Sequence, residues 1–72
     1  MSDIEKMALL EEAFDVDEGY LKADMLLSDI DEYDSMTRLA LIVMIDENFG
    51  KTLTGTDMNS FQTVQDILDI MN

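Results

Sequence analysis

The stretch DSMTRLALIVMIDENFG, residues 34–50, decides how the chain folds. It reads as one helix of roughly Met36 to Phe49. Asp34 or Ser35 can cap its start, because a short polar side chain there takes up a free backbone N–H. Gly50 follows Phe49, where a helix commonly ends in a left-handed residue. Within it, LALIVMI is apolar all the way round. At about 100° per residue, Leu41, Ile42, Ile45 and Phe49 gather on one side. Met36, Leu39, Ala40 and Val43 gather on the other. A small domain can hardly bury both stripes. Either the helix is central and mostly enclosed, or the stripe from Met36 to Val43 stays partly exposed as a docking surface.

Working outward, two more segments carry helical periodicity. In Asp3 to Phe14, the residues Ile4, Met7, Leu10 and Phe14 recur at spacings that line one face. Ser2 is a natural N-cap there, and Glu5 completes a capping box. Thr63 to Met71 has Thr63 as its cap, Asp66 as the reciprocal acid, and Val64, Ile67, Leu68 and Met71 at i, i+3, i+4 and i+7. Between the first two helices lie about twenty residues without a strong period, a length that is uncommon in a compact domain and often functional. Leu21, Met25, Leu26, Leu27 and Ile30 are expected to anchor that loop to the core. Thr56 to Phe61 has room for one short helical turn. No two-residue alternation persists, so strands are not expected. The reading is an all-α bundle of three to four helices, forming a single domain over residues 1–72.

Seventy-two residues carry 17 Asp and Glu against 4 Lys and Arg, for a formal net charge of −13. That balance argues strongly against binding nucleic acid or an anionic membrane surface, where basic patches supply the attraction. It favours partners that carry basic patches of their own. Cysteine and histidine are both absent. Thiolate chemistry, the usual triads and the usual zinc ligands therefore fall away. A carboxylate enzyme is a distant reading, because a chain this short offers little pocket. Two acidic runs, at Asp15, Asp17 and Gly19 and at Asp29, Asp31 and Asp34, hint at calcium. Neither fits an EF-hand loop, since Tyr20 and Asp34 stand where its glycine belongs, and no dedicated metal site is expected. The amino terminus lacks the basic and apolar blocks of a signal peptide. The apolar run Leu39 to Ile45 is far short of the about 20 residues that span a bilayer. The expectation is a monomeric, cytoplasmic protein that binds neither membrane nor nucleic acid.

Ser35 stands at the junction of the long loop and the second helix. Free backbone N–H groups and the helix dipole favour an attached anion there, such as a phosphodiester. On its own, Asp34-Ser35 before a helix is an ordinary cap.

Its surroundings carry more. LSDIDEYDSMTRLALIVMIDENFG, followed after a dozen residues by TVQDILDIM, resembles the acyl carrier proteins across essentially the whole chain. The family's Asp-Ser-Leu-like tripeptide corresponds to Asp34-Ser35-Met36. Leu27, Ile30 and Tyr33 match the positions that lead into the serine in many standalone carriers. Phe49 matches the residue that closes the second helix, and Thr63-Val64 opens the last.

The resemblance implies a carrier and not a catalyst. It implies that a phosphopantetheinyl transferase attaches 4′-phosphopantetheine from coenzyme A to Ser35, beside Asp34. The arm's thiol would then hold an acyl group as a thioester. Ser2, Ser28 and Ser60 lie outside the motif. Partners would be acyl-loading and acyl-transfer enzymes with basic patches. They would meet Met36, Leu39, Ala40 and Val43, with Asp46 and Glu47 as ion-pair candidates at the rim. Thr37, Arg38 and Ala40 depart from the acidic residues usual in fatty-acid-synthesis carriers, and Glu32 stands where many have glycine. A dedicated carrier in a specialised or polyketide-like pathway is thus as well supported as fatty-acid synthesis. Asp-Ser-Met is also similar to the tripeptide of D-alanyl carriers, whose cargo is an aminoacyl thioester. The contrasting reading is an unmodified acidic interaction module that uses the second helix as its contact face.

Overall fold

The computed structural model describes residues 2–71. Four helices follow one another: α1 (Asp3–Phe14), α2 (Ser35–Phe49), α3 (Gly55–Ser60) and α4 (Val64–Ile70). A single 3₁₀ turn, Leu27–Asp29, interrupts the long α1–α2 connection. The expected all-α bundle is what forms, and α3 is the short turn anticipated near Thr56.

Local chemistry sets the helix ends. Capping boxes open three helices: Ser2 with Glu5 on α1, Thr54 with Asp57 on α3, and Thr63 with Asp66 on α4. Each satisfies backbone donors that the first turn leaves free. Helix α2 begins one residue earlier than expected, with Asp34 as its cap. It ends on Gly50 at φ 67°, in the left-handed region where only glycine is free of a Cβ penalty. Helix α1 also ends on a left-handed residue, here a non-glycine one. Asp15 adopts φ 57°, and its N–H returns to the carbonyls of Glu11 and Glu12.

The core is shared among α1, α2 and α4. Leu10, Phe14, Leu41, Ile45, Val64, Ile67 and Met71 have essentially no solvent exposure. Each apolar side chain of this size contributes about 1.5–3 kcal/mol on burial. Met58 closes the core from α3, and Leu21, Leu27 and Ile30 close it from the long connection.

That connection is held by its backbone as much as by its side chains. Leu27 N–H donates to the Gln62 carbonyl at 2.9 Å, Val64 N–H to Met25 at 3.1 Å, and Gln65 N–H to Ala23 at 2.9 Å. An isolated antiparallel bridge pairs Leu26 with Thr63. Here one expected anchor fails: Leu26 is 46 % exposed. Extended backbone sends successive side chains to opposite sides, so with Leu27 turned inward Leu26 turns out. A second fastening was not anticipated. The buried Glu11 carboxylate accepts the Leu21 N–H at 3.0 Å, tying α1 to the start of the loop.

One further expectation changes, and one choice left open by the sequence is decided. Ile4 is 81 % exposed, so the apolar face of α1 begins lower down. At about 100° per residue, Ile4 lies about 120° round the helix from Leu10. Helix α2 is not enclosed either. Its Leu41–Ile45 side is buried and its Met36–Val43 side faces out.

Candidate prosthetic-group attachment site

Ser35 is the first residue of α2 and is exposed. Its hydroxyl makes no hydrogen bond to another described residue, while the residues flanking it are tied down. Asp34 Oδ1 accepts the Thr37 N–H at 2.9 Å. Buried Thr37 donates its hydroxyl to the Glu32 carbonyl at 2.6 Å. Arg38 N–H reaches the Asp34 carbonyl at 2.9 Å. The hydrogen bond from the Thr37 backbone holds the Asp34 carboxyl below its ordinary value, so it stays ionised as a cap.

The loop in front of the serine is braced as well. The Tyr20 hydroxyl donates to Glu32 Oε1 at 3.2 Å, and that bond, together with the charge of Glu32, raises the tyrosine's pKa. Tyr33 stacks on Phe14 with ring centroids 5.5 Å apart. The Arg38 guanidinium lies over the Tyr33 ring, 5.9 Å from its centre. A free hydroxyl on a rigid turn therefore sits at the N-terminus of a 15-residue helix. That arrangement fits a covalently attached phosphodiester, since the site needs an accessible oxygen and tolerates negative charge.

Beside the serine, Met36 is 81 %, Leu39 62 % and Val43 48 % exposed. Ala40 is exposed with them. Together with Leu9, Ala13 and Met44 they line a groove of about 520 Å³ between α1 and α2. Glu47 stands at its edge with Glu12. Asp46, exposed beside Glu47, does not itself line the groove. Arg38, read in the sequence only as a departure from acidity, turns out to be organised. Its guanidinium donates to Asn59 Oδ1 on α3 at 3.0 Å. Its position three residues after Ser35 was the available signal, because such residues are neighbours on a helix.

Among the described residues, no group of three or more acidic side chains is placed to hold a metal ion. No described helix is long and apolar enough to cross a membrane.

A four-helix bundle with an exposed serine at the head of its second helix is compatible with the class of phosphopantetheine-bearing carriers. The family model for the phosphopantetheine attachment site matches residues 7–71, and the chain belongs to that family. Its prosthetic group is covalent 4′-phosphopantetheine. The fold is similar to the solution structure of holo acyl carrier protein from Geobacter metallireducens. The TM-score is 0.75 at 22 % identity, over 99 % of this chain and 83 % of that one. No curated protein matches the chain.

Proposed function

We propose that Ser35 bears the phosphopantetheine arm. On this reading the protein delivers acyl thioesters between cytoplasmic enzymes of fatty-acid, polyketide-like or another specialised biosynthesis. The observation that carries the reading is the exposed, unengaged Ser35 hydroxyl at the first residue of α2. The other serines are less suited. Ser2 Oγ serves the α1 cap, Ser60 Oγ donates to the Asp57 carbonyl at 2.6 Å, and Ser28 lies within the 3₁₀ turn.

Attachment forms a bond from Ser35 Oγ to the β-phosphorus of coenzyme A and breaks its link to the departing 3′,5′-ADP. The hydroxyl proton passes to a base of the transferase. The arm supplies a thiol, which a chain without cysteine lacks. What remains for this chain is presentation and recognition, with no catalytic step of its own. The acidic surface speeds encounter with basic partners. Met36, Leu39, Ala40 and Val43 supply the contact area.

Intact-mass analysis after incubation with coenzyme A and a broad-specificity phosphopantetheinyl transferase tests the assignment. One adduct is expected on the wild type and none on Ser35→Ala. If several transferases leave the wild-type mass unchanged, the assignment fails. An unmodified interaction module predicts that result, with partner binding lost on Val43→Asp and kept on Ser35→Ala.

A further inference from the structure

Arg38 is the only one of the four basic residues on α2. In a chain with 17 carboxylates it has no ion pair with any described residue. Its contacts are the neutral Asn59 Oδ1 and the face of the Tyr33 ring. A guanidinium has five N–H donors in a planar fork suited to a carboxylate, so most of that capacity is unspent.

The same three residues line a cleft of about 470 Å³ on the α3 side of α2, together with Leu26, Ile30 and Gln62. The Tyr33 hydroxyl is buried and has no hydrogen-bond partner. Burial raises its pKa, and Arg38 only partly opposes that, through its charge and through the approach of its guanidinium to the hydroxyl oxygen. It therefore remains a neutral donor, and a buried donor without an acceptor is a cost that a ligand acceptor removes. An unpaired guanidinium, an orphaned hydroxyl and two side-chain amides thus share one cleft. It differs from the apolar groove on the α1 side of the same helix.

We infer that this cleft selects the cargo: it receives an acyl group carrying a carboxylate beyond the thioester, which Arg38 engages through its fork with Tyr33 and the Asn59 amide beside it. This rests on attachment at Ser35, from which a flexible arm folds back across one helical turn to Arg38. A straight hydrocarbon would meet Leu26, Ile30, Met58 and Phe61 on the cleft's apolar side but would leave Arg38 without a counter-charge. An aminoacyl group brings an ammonium towards a guanidinium, which is repulsive. The inference therefore separates a dicarboxylic cargo from both the simple fatty acyl and the D-alanyl alternatives. The phosphodiester at Ser35 is the other anion within reach, and the experiment distinguishes the two.

Four forms of the protein are compared by NMR of the Arg38 guanidinium and the Asn59 side-chain amide. They are the unmodified protein and the forms loaded from coenzyme A, butyryl-coenzyme A and succinyl-coenzyme A. Butyryl matches succinyl in length and lacks the charge. Both signals are expected to shift in the succinyl form alone, and the Asn59 shift is expected to vanish in Arg38→Gln. Melting of that variant establishes that it is folded. A shift already complete in the coenzyme A form assigns the anion to the phosphodiester and overturns the inference. Equal shifts for butyryl and succinyl, or no shift in any form, also overturn it. An unchanged mass on loading defeats the attachment at Ser35 first, and this inference with it.

Discussion

The carboxylate of Asp34 accepts the backbone N–H of Thr37 at 2.9 Å, bridging the residue proposed to carry the arm. The hydroxyl of Thr37 continues the chain of contacts to the Glu32 carbonyl. Ser35 is thus presented by neighbours that are fixed on both sides. Asp34→Ala is expected to lower the melting temperature and slow adduct formation, because it removes the cap that orders this turn. Asp34→Asn retains a capping oxygen and is expected to recover most of both losses. Thermal melts and a time course of intact mass check this. Equal behaviour of Ala and Asn would mean that the cap does not act through its hydrogen bond.

Two caps make stability depend on acid. Backbone hydrogen bonds hold Asp34 below its ordinary value of 3.8, chiefly from Thr37. They hold Asp66 below 3.8 as well, chiefly from Gln62 and then Thr63. A carboxyl whose pKa is lower in the folded state stabilises the fold above the unfolded value. That contribution is lost as pH falls through the lowered one. Asp34→Asn and Asp66→Asn are each expected to flatten the fall in stability below pH 3.8. Urea unfolding at a series of acid pH values measures the slope.

Glu11 is the buried fastening between α1 and the long connection. Truncation leaves the Leu21 N–H without its charged acceptor, and hydrogen bonds to charged groups contribute about 1.5–3 kcal/mol. Glu11→Ala is expected to cost about 2 kcal/mol in denaturant unfolding. Glu11→Gln, which keeps an acceptor oxygen, is expected to cost less.

The outer stripe of α2 separates recognition from stability. Val43 is 48 % exposed, so Val43→Asp leaves folding stability within about 0.5 kcal/mol. Transfer of a thioester to or from a partner enzyme is expected to slow, because the charge falls within the apolar contact face. Parallel melting and acyl-transfer assays read the two effects. A large drop in melting temperature would place Val43 among the supports of the fold.

A net charge of −13 on 72 residues repels itself in the compact state. Added salt screens that repulsion, and millimolar Mg²⁺ neutralises part of it. Both are expected to raise the melting temperature. A melting temperature indifferent to salt would show that self-repulsion does not limit stability.

Much of this architecture was legible in local sequence. The capping pairs Ser2–Glu5 and Thr63–Asp66, the break at Gly50 and the buried run Val64, Ile67 and Met71 depend on contacts within one or two turns. Such patterns survive in a linear reading because cause and effect lie a few residues apart. Leu26 and Ile4 were misplaced for the opposite reason. Leu26 turns outward because its backbone pairs with Thr63, far along the chain. Ile4 lies out because the packing direction of α1 is set by Leu10 and Phe14 against α2 and α4.

By itself, then, the sequence determined helices, their caps, a two-sided α2 and a serine at its head, all consequences of short-range backbone chemistry and helical period. Whether α2 would be enclosed or would leave its Met36–Val43 stripe in solvent was not contained in it. Both stripes are apolar, and only the arrival of α1 and α4 on the Leu41–Ile45 side decided the matter. The tertiary structure likewise brought Tyr33, Arg38 and Asn59 to one cleft. Arg38 and Asn59 are 21 residues apart, and their hydrogen bond exists only because α3 folds back beside the start of α2.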